Sequence, residues 1–361
     1  MTDRPQHIAL IGAGRVAREH ARAIGELGGR LESVCDLNGE LADRFASEFN
    51  AKRSTTDVED LFSDDSIRGV VIALPTTLHR QYAIRALEAG KHVLLEKPMA
   101  LTLADCDAII SAEKRADRLV QLGFVCRYAP KVAAVERLIA SGELGEIYHV
   151  RATMLRQRGI PGLGRWFTTR SQSGGGVLID IGVHMIDLVM HLTQREQAAR
   201  VSGVCQSRFG SPIEAYRYEE MWAGPPDPAG VFDVEDAATA LVRFDKALAL
   251  ELNVAWASNQ PADLLPDGIT LLGARGGCCF DLWSPKLIVT TEREGNVIDE
   301  ARPVEHDDAW NEAWRGQHRA FSHLLQTGEP PSSGARAGRN VQAIVDAIYR
   351  SSEAGREVEI S

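Results

Sequence analysis

Residues 7–17 read His-Ile-Ala-Leu-Ile-Gly-Ala-Gly-Arg-Val-Ala, and no other stretch constrains the fold as strongly. The apolar run Ile8 to Ile11 predicts a buried strand. It stops at Gly12-x-Gly14-x-x-Ala17, and a helix-compatible segment, Arg15 to Leu27, follows. Strand, glycine turn and helix in that order form the dinucleotide-binding fingerprint. Gly12 permits the tight turn, and Gly14 has no Cβ to keep a pyrophosphate from the backbone. Ala17 lets helix and strand approach closely. The first residues of the helix, Arg15 and Val16, offer free N–H groups and the positive end of the helix dipole. Asp36, followed by Leu37, ends the next apolar strand 22 residues beyond Gly14. An acid at about 20 residues is where the ribose hydroxyls are held. The expected cofactor is NAD.

The alternation that begins there continues. Strands are predicted at 7–11, 31–35, 69–74, 92–95 and 119–122, and helices at 15–27, 39–49, 77–89 and 103–116. Such alternation means right-handed βαβ units and a parallel sheet, with ligands beyond the carboxyl ends of the strands. After about residue 145 the pattern changes to strands at 147–155, 200–209, 236–244, 247–255, 269–273, 277–281 and 286–290. Short polar turns such as Asp245-Lys246 predict a mainly antiparallel sheet. A helix at 182–192 interrupts it, and helices at 311–326 and 335–352 close the chain. The expectation is an α/β protein of 361 residues in two domains, 1–125 and 126–361. The closing helices are allowed to pack back on the first. Residues 211–233, with Tyr216, Tyr218 and Trp222, form a long connection, read equally well as a functional loop or as surface packing.

Composition narrows the partners. The formal charge of −10, with no long basic run, argues against nucleic acid and anionic membranes. Met1 to Gln6 is short and polar, and no leader or spanning stretch is read there. Cys35, Cys106, Cys126, Cys205, Cys278 and Cys279 show no zinc or redox spacing. These features together predict a cytoplasmic protein.

Three further clusters carry chemistry. Leu74-Pro75-Thr76-Thr77-Leu78-His79 follows a strand; Pro75 stiffens the turn and the threonines can cap a helix. Glu96-Lys97-Pro98 follows Val93-Leu94-Leu95, so Lys97 can face a nicotinamide cleft, although an isolated lysine is ordinarily solvated surface. Gly174-Gly175-Gly176 leads to Asp180, His184 and Asp187. Asp180 and His184, four apart, share a helix face, and a carboxylate beside an imidazole can orient it. Asp180, His184, Asp187 and His191 could also array metal ligands. No cysteine cluster assists, so no metal is expected, and Asp187 and His191 are read as structural.

Gly12-x-Gly14-x-x-Ala17, Ala89 to Pro98 and Gly-Gly-Gly-x-x-x-Asp180-x-Gly-x-His184, in this order, resemble the glucose–fructose oxidoreductase, inositol dehydrogenase and rhizopine-catabolism family. Asp233-Val-Glu-Asp236 resembles the start of a central sheet strand in that family. The resemblance spans nearly the whole chain. It implies a Rossmann domain, then an open antiparallel sheet domain that binds substrate and forms homodimers or homotetramers. It also implies nicotinamide-dependent hydride transfer on a sugar or cyclitol. Carried over position by position, Lys97 matches the catalytic lysine, Asp180 the substrate-orienting acid and His184 the acid–base residue. The cofactor contacts implied are Gly12, Gly14, Arg15, Val16, Asp36, Leu37, Leu74, Pro75, Thr76, His79, Glu96 and Lys97. Leu74 stands where many members carry threonine. Ala129, in Arg127-Tyr128-Ala129-Pro130, stands where relatives often carry Asn or Asp.

A narrower resemblance lies in Arg156-Gln-Arg158-Gly159-Ile160-Pro161-Gly-Leu-Gly-Arg165-Trp166-Phe167, which is similar to glucoside 3-dehydrogenases and related sugar dehydrogenases. Guanidinium groups donate to hydroxyls and an indole covers the apolar face of a pyranose. The expected substrate contacts are Lys97, Arg127, Tyr128, Arg156, Arg158, Trp166, Asp180 and His184. The alternatives left open are an inositol dehydrogenase, a ketosugar reductase of amino- or deoxysugar synthesis, and a non-catalytic sugar sensor.

Overall fold

Ile8–Ile11 (β1) consists of four residues buried on every side, as a central strand of a parallel sheet requires. It heads a six-stranded sheet with Ser33–Cys35 (β2), Ser54–Thr55 (β3), Gly69–Ile72 (β4), His92–Leu95 (β5) and Val120–Leu122 (β6). The order is β3-β2-β1-β4-β5-β6, and every neighbouring pair is parallel. The order reverses between β1 and β4, which opens a crevice at their carboxyl ends. The computed structural model describes residues 7–217, 223–245, 247–261 and 267–360. Met1–Gln6, Tyr218, Trp222 and Lys246 lie outside them.

The helices Arg15–Glu26, Gly39–Glu48, His79–Glu88 and Leu103–Ala116 follow their strands. Asn38 and Thr102 cap two of them, accepting the N–H of Leu41 and of Asp105, each at 3.1 Å. The unit formed by these elements, through Val125, also includes Asn311–Arg339. Phe321, Leu324 and Leu325 of the helix Ala309–Thr327 pack in one core with Ile8, Leu10, Val71 and Ile24.

The second unit comprises Cys126–Trp310 and the chain from Asn340. Its sheet contains Ile147–Leu155 (β7), Ala198–Gln206 (β8), Ala237–Phe244 (β9), Ala249–Ala255 (β10), Gly268–Gly273 (β11), Gly276–Phe280 (β12), Leu287–Arg293 (β13), Asn296–Ala301 (β14) and Val358–Glu359 (β15). The order is β14-β13-β12-β11-β7-β10-β9-β8-β15. All pairs are antiparallel except β7 with β10. Alternate residues of β9 and β10 are buried, as in a sheet covered on one face. The apolar helical run Arg170–Thr193 is long enough to cross a membrane, yet 83% of its most apolar window is buried inside the protein.

Among the described residues, six strands and α-helices lie outside the elements predicted from the sequence. The two-residue β3 and β15 are too short for a period, and the one-turn helices Glu59–Phe62 and Arg170–Ser173 too short for a face. β14 is exposed throughout and shows no alternation. The helix Pro130–Ala140 opens on a proline at its first turn, a favourable start that the sequence reading left unassigned.

Candidate active site

In the first unit the glycine loop is built by contacts at the end of β1. Gly12 N–H donates to the Cys35 carbonyl at 2.8 Å, and its φ of +96° suits glycine. A Cβ there would collide with the Ala73 carbonyl oxygen, so the glycine also lets the loops after β1 and β4 meet. At Gly14 a Cβ would meet nothing within 4 Å. Gly14 precedes the helix Arg15–Glu26 with no side-chain cap, while Ala17 is fully buried. An open face over uncapped N–H groups suits a pyrophosphate. Asp36 Oδ2 accepts the Ala13 N–H and Oδ1 the Asn38 N–H, both at 2.9 Å. The carboxylate therefore stands at the glycine loop and helps shape it. Leu37 beside it is 86% exposed. These features fit a dinucleotide.

Leu74 and Pro75 are half-buried and Thr76 is buried, at the turn after β4. His79, expected among the cofactor contacts, is instead turned into the protein. Its Nδ1 lies 2.8 Å from the Pro98 carbonyl and its Nε2 2.9 Å from the Leu74 carbonyl. Burial pulls its pKa down, against those two carbonyls. Glu96 is likewise buried: Oε1 lies 3.0 Å from His20 Nε2, and Oε2 accepts the Lys97 N–H at 3.3 Å. Both residues shape the turns that carry Leu74 and Lys97. Lys97 itself is half-buried.

In the second unit packing requires two of the three consecutive glycines, Gly175 and Gly176. A Cβ on Gly175 would strike the Tyr349 hydroxyl, and one on Gly176 the Glu235 carbonyl oxygen. Glu235 Oε1 accepts from Gly176 N–H at 2.8 Å, Leu178 N–H at 3.0 Å and the Tyr349 hydroxyl at 2.9 Å. Burial raises its carboxyl pKa, opposed by these hydrogen bonds. Asp180 then sits in a π-helical turn, Leu178–Gly182, and His184 in the first turn of the helix Val183–Thr193. Such turns recur at functional sites. Asp180 is 9% exposed, and its Oδ2 accepts the Trp256 indole N–H at 2.9 Å.

The expected substrate residues divide. Arg127 forms a bidentate ion pair with Asp187, Nε–Oδ2 at 2.8 Å and Nη2–Oδ1 at 2.6 Å, with both side chains buried. Burial pushes Asp187 up, against the pull of Arg127. His191 pairs with Glu136 at 2.9 Å. Arg158 donates to the carbonyls of Gln157 and Ser258 and to Asn259 Oδ1, and lies over the Phe209 ring. The guanidinium groups of Arg127 and Arg158 thus tie protein segments together. Arg156 is half-buried, and among the described residues its guanidinium makes no hydrogen bond. Tyr128 and Trp166 are half-buried, with Trp166 stacked on Phe167 at 3.9 Å. The long connection docks here. Tyr216 hydroxyl accepts the Ile160 N–H at 3.3 Å, Asp227 N–H donates to Leu163, and Thr168 Oγ1 donates to Val231.

Residues 6–124 match the Gfo/Idh/MocA oxidoreductase family with its NAD-binding Rossmann fold, and residues 132–278 match the Gfo/Idh/MocA C-terminal domain. The chain belongs to the Gfo/Idh/MocA oxidoreductase family. It is 28% identical to D-glucoside 3-dehydrogenase of Escherichia coli, over 100% of this chain and 99% of that one. It is 30% identical to a provisionally named UDP-kanosamine synthase oxidoreductase subunit of Amycolatopsis mediterranei, over 82% and 83% of the two chains. A solved levoglucosan dehydrogenase, in complex with NADH and levoglucosan, has the same fold, with a TM-score of 0.86 at 24% identity over 98% of each chain.

As a Gfo/Idh/MocA oxidoreductase the chain is an NAD-dependent enzyme. Four polar residues around the family motifs escaped the sequence reading: His20, His318, Trp256 and Glu235. Of these, Glu235 lies in the motif Asp233-Val-Glu-Asp236. His20 sits on the buried face of its helix, where a polar residue interrupts an apolar stripe, and that interruption was the available signal. Nothing near Trp256 in sequence points to Asp180.

Proposed function

We propose that this enzyme oxidises a ring secondary alcohol of a pyranose, with position 3 of a glucoside as the leading choice. The observation that carries the reading is the end-to-end similarity to D-glucoside 3-dehydrogenase, and Lys97, Asp180 and His184 stand in stretches that resemble the family's motifs. Gly12, Gly14, Arg15, Val16, Asp36, Leu37 and the turn Leu74–Thr76 would hold NAD, which supplies the hydride acceptor when bound. The carbinol carbon gives up its hydride, and the hydroxyl proton passes to His184, leaving a ketone. Asp180 orients His184 and a neighbouring hydroxyl. Lys97 stabilises the charge that develops on the substrate oxygen. Arg156, Tyr128 and Trp166 are the sugar contacts, an indole face suiting the apolar side of a ring.

A panel of free glucosides, inositols, sugar phosphates and nucleotide sugars, followed at the reduced-nicotinamide absorbance band, tests the reading. Turnover is expected on free glucosides, with a 3-keto product. Activity confined to nucleotide sugars or to non-carbohydrates overturns it.

A second part of the same reading is assembly as a homodimer or homotetramer through the uncovered face of the nine-stranded sheet. That face is of mixed polarity, with Arg151 and Glu251 paired at 3.1 Å and Thr239 beside Asn253. A monodisperse monomer in light scattering at micromolar concentration would refute it. The protein is read as cytoplasmic, which its six free cysteines support.

A further inference from the structure

Trp256 follows β10 directly and is 0% exposed. It uses all three of its hydrogen-bonding groups, each on a different segment. Its indole N–H donates to Asp180 Oδ2 at 2.9 Å. Its main-chain N–H donates to the Asp236 carbonyl at 2.8 Å, and its own carbonyl accepts the Gly159 N–H at 2.7 Å. One residue therefore joins three places: the carboxylate of the π turn, the start of β9, and the Arg156–Phe167 run. Its neighbours are held in turn. Asp236 Oδ2 accepts the N–H groups of Arg208, Phe209 and Gly210, and Arg156 N–H donates to Ala255. A Cβ on Gly159 would press on the Arg156 side chain and lie 3.1 Å from the Trp256 carbonyl oxygen.

A buried indole needs an acceptor, and a main-chain carbonyl would serve. Here the acceptor is a carboxylate on the turn that precedes His184. A hydrogen bond to a charged group is stronger and more directional than one between neutral groups. Anchoring Oδ2 fixes the rotation of the carboxylate, and so fixes where Oδ1 points.

We propose that Trp256 is a positioning residue for hydride transfer, holding the Asp180 carboxylate in its working orientation while setting the Arg156–Phe167 run against it. The proposal rests on the reading of Asp180 as a working carboxylate.

The test uses the full-length enzyme with NAD and its best sugar substrate. Trp256→Phe keeps most of the packing and removes the donor. Replacement of Trp256 by 3-benzothienylalanine keeps the bicyclic shape and removes only the N–H, so it decides the matter if the phenylalanine variant does not fold. Either change is expected to lower kcat about 10–100-fold, the loss of one charged hydrogen bond, with KM and NAD affinity little moved. In an Asp180→Asn background the same change should add no more than about 2-fold, because both act through one group. The proposal is overturned if the benzothienyl variant keeps parental kcat while Asp180→Asn is inactive, or if the Trp256 effect is equally large in both backgrounds. Parental turnover in Asp180→Asn alone would instead remove the reading on which it rests.

Discussion

His20 Nε2 lies 3.0 Å from Glu96 Oε1 in the interior of the first unit, with His20 wholly buried and Glu96 nearly so. His318 Nε2 stands 2.9 Å from the other nitrogen of His20. Burial holds the His318 pKa well below the usual histidine range, so this ring carries one N–H. Donation from His318 to His20 leaves the His20 Nε2–H for Glu96. The Glu96 carboxylate then meets a donor on each oxygen, since Oε2 accepts the Lys97 N–H. His20→Phe leaves Glu96 Oε1 without its donor and should destabilise the first unit by about 2–3 kcal/mol in urea unfolding. His20→Phe combined with Glu96→Leu should recover much of that loss. An unchanged midpoint for His20→Phe would show that the pair contributes nothing.

Lys97→Ala and His184→Ala should each lower turnover on the order of 10²–10⁴-fold, the range for losing acid–base or charge-stabilising groups. NAD affinity, measured by calorimetry, should barely change. Near-parental turnover in either variant on a good substrate would remove that residue from the chemistry.

Asp36 should make the enzyme prefer NAD over NADP, because a carboxylate at the ribose repels a 2′-phosphate. Leu37 and Asn38 follow it and offer no cation. The ratio of kcat/KM values measures the preference. Asp36→Ser should narrow it by about 1–3 kcal/mol, the value of charged hydrogen bonds lost. The same change also removes the Ala13 and Asn38 contacts, so weaker binding of both cofactors is expected alongside.

Acid should destabilise the fold through His92. Its Nδ1 accepts the Leu119 N–H at 3.1 Å, which requires an unprotonated nitrogen. Burial, aided by Arg118 and Arg68, lowers its pKa from 6.5 to about 4. The unfolded chain thus binds the proton first, and stability present above pH 6.5 is lost as the pH falls toward about 4. Melting temperatures across that window should show the decline, and His92→Phe should make it shallower, with buried His79 and His318 contributing the remainder. A variant with the parental slope would assign the effect elsewhere.

The parallel sheet and the glycine loop were legible because their signals are local. Ile8–Ile11 is apolar throughout, Gly12 needs its positive φ, and an acid must end the next strand to reach a ribose. The strand predicted to 74 ends at Ile72, and the helix predicted from 77 starts at His79 after a tight turn at Thr76–Leu78. Periodicity reports that an element exists more sharply than where it stops. The helix near 182 was legible as an apolar run, whereas the π turn that carries Asp180 was not, since one inserted residue leaves the composition unchanged.

By itself the sequence determined the architecture, the family and the residue types available for chemistry: Lys97, Asp180 and His184 on their motifs, and Asp36 after its strand. Tertiary structure decided which polar groups meet. Arg127 and Arg158 looked like sugar donors, and the fold bound them to Asp187 and to neighbouring carbonyls. His20 finds His318 across 298 residues of chain, and Trp256 finds Asp180 across 76. Backbone preference and hydrophobic periodicity act over a few residues, so they are written in the local sequence. Hydrogen-bond partners of buried groups are chosen by whatever distant element burial brings within about 3 Å, and that choice exists only in the folded chain.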